Sequence, residues 1–414
     1  MGVSDPIVAA TELLSPERYD REESRGLATL PNRVIEASST AHFQFMAYPT
    51  RVPSLDAVWR YAEVMHEGRL PHTFADLLGD GVTQEEMALM RTIVRAVVAL
   101  SGRHYRKVVV PKDAFVRALN VYRHIRYLHP NGGATIVEIG PGSGYLGALL
   151  LLSGFSYVAV DIAQGFYLFQ NHLFNAIAPG RVVELVEDDR AVSDFSTLER
   201  GQVLHVPWWK WMMPEPAFSL GADIVTANHC LCEMHSRALL YNVKTSSGIL
   251  ANGGQDGLFL FEGWGSDALN PVWSVAKAFA DNGYSLAEYS RLVTVFTRAE
   301  GPHAGLRFPL LPQRPPPPAP EPPPKFKLFK RMPAPGPVLP VELPPLRNEE
   351  AYYPPLRSDP AHPITARMME GRARLGRENS LTLRDFESML TEEARGTSIQ
   401  SGDEAFLNYI DVAF

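Results

Sequence analysis

The chain has 414 residues, 45% of them hydrophobic and 21% charged, ordinary proportions for a globular protein with room for one large domain or two. Its formal net charge of -7 leaves no basic excess for gripping a phosphate backbone, which excludes nucleic acid as an expected partner. Two cysteines exclude a disulfide framework and fit a reducing, cytoplasmic setting.

The opening MGVSDPIVAATELL has neither the basic head nor the apolar core of a signal peptide, and Pro6 stands where myristoylation needs Ser or Thr. Up to about residue 130 the patterns are helical, with no convincing strand series. Ser54 to Glu67 begins on a candidate N-cap and spaces its apolar residues three and four apart. Gln84 to Ser101 places Met87, Met90, Ile93, Val94, Val97 and Leu100 on one face. Phe115 to Leu128 is stopped by Pro130 and the Asn131-Gly132-Gly133 turn. These predict a helical N-terminal module over 1–130 that covers the acceptor side of whatever follows.

From Ala134 strands and helices alternate. Strands are expected at Ala134 to Ile139, Tyr157 to Ile162, Gln202 to Val206, Ala222 to Ala227 and Gly257 to Glu262, with a closing pair across Ser285 to Arg298. Helices are expected at Tyr145 to Ser153, Gln164 to Ala178, from after the strand end at Asn228-His229 to about Val243, and at Pro271 to Asn282. Arg181 to Val186 reads as an extra strand of unsettled place. Such alternation predicts a parallel sheet with helices on both faces and a ligand beyond the carboxyl ends of its strands. The longest apolar run, around Leu146 to Leu152, is far short of a bilayer span, so no membrane span is expected.

Beyond Gly301 the order breaks down. Many of the 35 prolines crowd here, and RPPPPAPEPPP (314–324) lacks the N–H groups that any ladder needs. KFKLFKR (Lys325 to Arg331) is a basic island suited to weak peripheral contact with anionic lipid or a partner. TLRDFESMLT (382–391) opens with a capping box in which Asp385 replaces Glu. A proline-rich linker over 301–350 and a C-terminal extension over 351–414 with one short helix are therefore expected.

The chemistry concentrates in VEIGPGSGYLG, Val137 to Gly147. Gly142, Gly144 and Gly147 spell the dinucleotide fingerprint, whereas Glu138, Gly140, Gly142 and Gly144 spell the E-x-G-x-G-x-G of S-adenosylmethionine sites. Asp161, closing the second strand, suits the ribose of either ligand. Glu138 separates them: a carboxylate within a few ångströms of a pyrophosphate repels it by several kcal/mol at intermediate dielectric. S-adenosylmethionine carries an ammonium and a sulfonium and no phosphate, so the same charge attracts it. An NAD(P)-dependent oxidoreductase and a non-catalytic scaffold with a proline-rich arm remain the alternatives.

VEIGPGSGYLG, VAVDI, VPWW and ADIVTANHCLCEM, in that order, resemble a class I S-adenosylmethionine-dependent methyltransferase. Pro207-Trp208 before the fourth strand and the N-x-x-x-x-E-M of Asn228 to Met234 after it are similar to the bacterial sugar O-methyltransferases. The resemblance covers about Ala134 to Arg298. It implies a Rossmann-like, mostly parallel seven-stranded sheet with a reversed last strand over 131–300, and methyl transfer to a sugar hydroxyl in polysaccharide or glycoconjugate assembly. The acceptor is then a small molecule or glycan, with methyl transfer to another small molecule or a peptide as the alternative.

Gly140, Gly142 and Gly144 let the loop pass under the methionine end, with Tyr145 starting the helix behind it. Asp161 is the ribose acceptor, or alternatively the N-cap of the helix from Gln164. Pro207, Trp208 and Trp209 line the adenine side or are plain core. Asn228 bonds the cofactor or fixes the loop. In NHCLCEMH (228–235) two His, two Cys and a Glu invite a metal, yet neither C-x-x-C nor H-E-x-x-H is present, so no metal is expected. A neutral imidazole suits removal of a hydroxyl proton near pH 7, which makes His229 the first choice of base, with Glu233 and His235 behind it.

Overall fold

The computed structural model describes residues 13–38, 50–63, 70–79, 81–213, 219–254, 257–265, 269–301, 361–378, 380–395 and 399–400. The N-terminal part contributes α1 (Pro16–Leu27), α2 (Asn32–Ala37), a 3-10 turn (Leu55–Tyr61), α3 (Leu70–Leu78), α4 (Gln84–His104), β1 (Val108–Val109) and α5 (Asp113–Leu128). Then come β2 (Thr135–Ile139), α6 (Tyr145–Leu152), β3 (Ser156–Asp161), α7 (Gln164–Ile177), β4 (Val182–Glu184), β5 (Val203–Pro207) and α8 (Trp208–Trp211). β6 (Ile224–Thr226), α9 (Ser236–Asn252), β7 (Leu258–Phe261), α10 (Val272–Asp281), β8 (Tyr284–Tyr289) and β9 (Thr294–Arg298) complete the sheet region. The last described elements are α11 (Pro363–Glu378), α12 (Leu383–Glu393) and β10 (Ile399–Gln400).

The main sheet has eight strands in the order β4-β5-β3-β2-β6-β7-β9-β8. Only β9 runs against its neighbours; every other adjacent pair is parallel. This is the Rossmann-like class I methyltransferase sheet, with a reversed last strand and one strand more than the seven expected. The addition is β4, the apolar run at 181–186, which forms an edge beside β5. β2, β3 and β5 are apolar almost throughout and buried on both faces, as parallel strands between two helical layers must be. The chain builds outward from β2 to β4 and then returns to β6 on the other side of β2. That reversal opens the crevice at the carboxyl ends of β2 and β6.

The predicted helix from Ser54 is a 3-10 turn in the described part, and Ser54 makes no side-chain cap. α4 and α5 lie where the periodicity places them; Thr83 and Glu86 close a full capping box at the head of α4. The Thr382–Asp385 capping box opens α12 as read, but α11 before it has no counterpart in the sequence reading. Both helices fold back on the N-terminal ones. Gly371 of α11 rests on the Tyr127 ring of α5, Phe386 of α12 meets Phe74 of α3 at 6.2 Å, and β10 pairs with β1. The proline blocks and Lys325 to Arg331 lie outside the described residues. No helix among the described residues is long and apolar enough to cross a membrane.

One buried ion pair locks this helical layer. Arg123 of α5 meets both carboxylate oxygens of Glu86 at 2.7 Å and also donates to the carbonyls of Leu78 and Gly81. Both side chains are about nineteen-twentieths covered, at 5% and 6% exposure, so removing one partner strands a charge. Glu86→Ala is expected to lower unfolding stability by about 3–5 kcal/mol, read by chemical denaturation of the full chain.

Candidate functional site

The glycine turn after β2 adopts backbone that only glycine takes without strain: φ is 71° at Gly140, 56° at Gly142 and 73° at Gly144. Space is short as well. A methyl group on Gly144 would stand 3.0 Å from Gln170 and 3.1 Å from Phe174, and one on Gly140 would stand 3.2 Å from the Cys230 sulfur. Gly147, the last glycine of the dinucleotide fingerprint, instead lets α6 lie against the ring of Tyr157. Tyr145 starts α6, but its ring is buried between Phe115 and Phe169 and its hydroxyl donates to the Ala62 carbonyl. Ser143 likewise donates to the Tyr61 carbonyl at 2.8 Å. The 3-10 turn therefore straps the glycine turn from above.

Glu138 lies under this turn with 3% of its surface exposed. Tyr157 donates its hydroxyl to Oε2 at 2.5 Å and Asn228 donates to Oε1 at 2.9 Å. Burial pushes its carboxyl up to about 7 despite these donors. The rest of the Asn228 amide is also engaged, with Thr226 Oγ1 at 3.0 Å and, through its oxygen, the Glu262 N–H at 2.9 Å. Asn228 thus ties together the ends of β2, β6 and β7.

Asp161 ends β3. It accepts from the Ala163 N–H at 2.9 Å, the Gly142 N–H at 3.3 Å and Gln170 Nε2 at 2.8 Å, and burial pushes its carboxyl up to about 6. The N-cap of α7 is Ala163, so Asp161 supports that helix start from two residues away and does not cap it. Pro207 lies opposite Asp161 in the β3–β5 register. Trp208 and Trp209 are buried under α1: the Trp208 indole donates to Glu23 at 2.8 Å, and Trp209 meets Tyr19 edge-on at 5.0 Å.

The segment after β6 departs from expectation. The helix expected directly after Asn228-His229 does not start there; His229 has φ 54°, the one positive value outside glycine among the described residues. A 3-10 turn at Leu231–Glu233 follows, and α9 begins only at Ser236 with His235 as its N-cap, accepting from the Arg237 N–H at 3.2 Å. The cause is local packing: the His229 imidazole lies over Gly263 and its backbone against Gly265, where any side chain would collide. Glu233 is buried within the turn, and Cys232 is fully buried. Cys230 packs its sulfur on Gly140. Among the described residues no group of three or more His, Cys, Asp or Glu could hold a metal ion.

The structure gives His229 two partners that the sequence reading did not name. Its Nε2 stands 3.2 Å from Glu262 Oε1 at the end of β7 and 3.3 Å from Arg117 Nη1 on α5. Arg117 also donates to Glu262 at 2.9 Å. Burial disfavours the Glu262 carboxylate, yet the neighbouring His229 and Arg117 outweigh it and hold the carboxyl below its ordinary range. Glu262 Oε2 is buried with no hydrogen-bond partner among the described residues. An acid ending a strand at the crevice was the available clue to Glu262. Arg117 lies 145 residues away in sequence, and its helix pattern says nothing about its target.

No protein-family model matches the chain, and no curated protein matches it. Solved structures do align. The amino pentose methyltransferase CalS10 from Micromonospora echinaspora is 12% identical over 45% of this chain and 91% of its own, with a TM-score of 0.29. Magnesium protoporphyrin IX methyltransferase from Synechocystis PCC 6803, with bound S-adenosylmethionine, is 12% identical over 44% and 83%, with a TM-score of 0.26. An O-methyltransferase family protein from Burkholderia thailandensis is 14% identical over 44% and 54%, with a TM-score of 0.29. The fold stands on the strand order, independently of these likenesses.

Gly144→Ala forces a left-handed residue against Gln170 and Phe174. It is expected to destabilise the chain by about 1–3 kcal/mol, measured by chemical denaturation beside the wild type.

Proposed function

We propose that the chain is an S-adenosylmethionine-dependent O-methyltransferase acting on a hydroxyl of a sugar. The observation that carries the cofactor is Glu138, a buried carboxylate directly under a glycine turn. A pyrophosphate would be repelled there, whereas a cationic methionine end is attracted. Asp161 supports the same ligand: three of about four acceptor directions of its carboxylate are filled by the chain, which leaves room for one ribose hydroxyl. The choice of a sugar acceptor rests on the resemblance carried by Pro207-Trp208 and Asn228 to Met234.

When bound, S-adenosylmethionine supplies the methyl group and its own leaving group. The chain must aim the acceptor hydroxyl and take its proton. With Nε2 turned to Glu262, Nδ1 is the ring nitrogen left to take that proton, and Glu262 would stabilise the imidazolium that forms. Arg117 holds the carboxylate of Glu262 in place. The His229 side chain is 39% exposed, open enough for an acceptor to reach.

Titration calorimetry with S-adenosylmethionine, S-adenosylhomocysteine and NAD(H) tests the cofactor; binding of NAD(H) alone would overturn the reading. Because the free Glu138 carboxyl titrates near 7 and a cationic ligand favours its ionised form, affinity for S-adenosylmethionine should rise as pH increases from about 6 to 8. Glu138→Gln should weaken binding and flatten that slope. His229→Gln should cut transfer of labelled methyl to glycan extracts by about 10²–10⁴-fold while S-adenosylhomocysteine binding persists. Unchanged transfer removes His229 from the role.

A further inference from the structure

Behind Asp161 lies a polar chain whose hydrogen positions are fixed by its neighbours. Gln170 faces two acceptors on one side, the Gly142 carbonyl at 2.6 Å and Asp161 Oδ2 at 2.8 Å, so its NH2 group must point there. Its Oε1 then faces His205 Nε2 at 3.1 Å, and that nitrogen must carry a hydrogen. The other ring nitrogen, Nδ1, lies 2.7 Å from Glu184 Oε2. Glu184 is surrounded by donors: the Tyr167 hydroxyl, Asn171 Nδ2 at 2.7 Å and the Val186 N–H at 2.9 Å. With three donors besides the ring facing its two oxygens, the group is placed as an acceptor, which suits the carboxylate form. An anionic acceptor at Nδ1 demands a second hydrogen on the ring.

We propose that His205 is a buried imidazolium and the positioning residue of the cofactor site, fixing Gln170 and through it Asp161 and the Gly142 turn. The ring is fully buried on β5 and stacked on Tyr167 at 3.7 Å and 12°, an arrangement that favours a cation. The titratable groups around it are Glu184 from β4, Asp161 from β3, and Tyr167 and His172 from α7, with Tyr19 of α1 beyond Tyr167. The role of β4 follows. This strand beyond the expected seven pairs with β5 in a register that sets Glu184 directly beside His205. The significance for the cofactor rests on Asp161 being the ribose acceptor; the charge state and the positioning do not.

Imidazole nitrogen NMR on the wild-type chain at neutral pH reads the charge directly. Two protonated ring nitrogens at His205 are expected, and one bare nitrogen overturns the proposal. Glu184→Gln should convert the ring to a neutral form; a ring that stays doubly protonated would remove Glu184 as its counter-charge and sink the dyad. In Gln170→Leu, hydrogen exchange at the Gly142 amide should quicken about tenfold or more, because Asp161 loses the donor that orients it. An exchange rate within twofold of wild type overturns the positioning role. The same variant should bind S-adenosylhomocysteine about tenfold more weakly, the loss expected for one hydrogen bond to a charged group. Failure of the wild type to bind S-adenosylhomocysteine would refute the cofactor reading, and the nitrogen and exchange measurements would still decide the proposal.

Discussion

A carboxylate kept out of water by Tyr157 and Asn228 is the interaction on which the crevice depends. Burying an acid costs several kcal/mol unless hydrogen bonds replace its hydration. The two donors to Glu138 come from β3 and from the end of β6, the strands on either side of β2. Satisfying the charge therefore couples the end of β2 to the end of β6 and to the body of β3. The Asn228 oxygen extends the constraint to β7 through the Glu262 N–H. One side-chain amide thus sets the distance between the floor of the glycine turn and the carboxylate beside His229.

The N-terminal helices take part in the site as well as covering it. Two residues after the strap that accepts from Ser143 and Tyr145 comes Glu63, whose carboxylate accepts the N–H groups of Lys112 at 2.7 Å and Ala114 at 3.2 Å. Glu63 thereby fills the unpaired donors at the start of α5, where an anion is favoured, although burial pushes its carboxyl up to about 8. α5 begins there and, about one turn on, carries Arg117 to Glu262. The segment that closes the glycine turn and the residue that braces Glu262 are consequently linked through one helix start.

The α/β alternation and the glycine turn were legible because they are local: period, breakers and a strand–turn–helix signature lie within a few residues. Gln84 to His104 and the Thr382 capping box were legible for the same reason. NHCLCEMH misled because its composition allows a helix; what forbids one is the contact of His229 with Gly263 and Gly265, more than thirty residues downstream. Along the chain His229 neighbours Glu233 and His235, and that proximity alone groups the three. The fold brings it to Arg117 and Glu262 by strand order and helix packing, which no local pattern encodes. β4 was visible as an apolar run, but its place at the edge follows only from its register with β5.

The two halves of the crevice differ in how completely their polar groups are satisfied. On the cofactor side, Glu138, Asp161, Gln170, His205 and Glu184 have their oxygens and nitrogens engaged by the chain, and such a network is stiff. Stiffness suits a surface that holds the same ligand in every cycle. On the other side Glu262 Oε2 is buried without a hydrogen-bond partner among the described residues, as are Asn120 Oδ1 and Glu288 Oε2 elsewhere in the chain. The other oxygen of the Glu262 carboxylate, Oε1, faces the His229 imidazole, where the proposed reaction would create and remove charge. Under the proposed function each half keeps one acceptor open, a direction of the Asp161 carboxylate for the ribose and an oxygen of Glu262 behind His229.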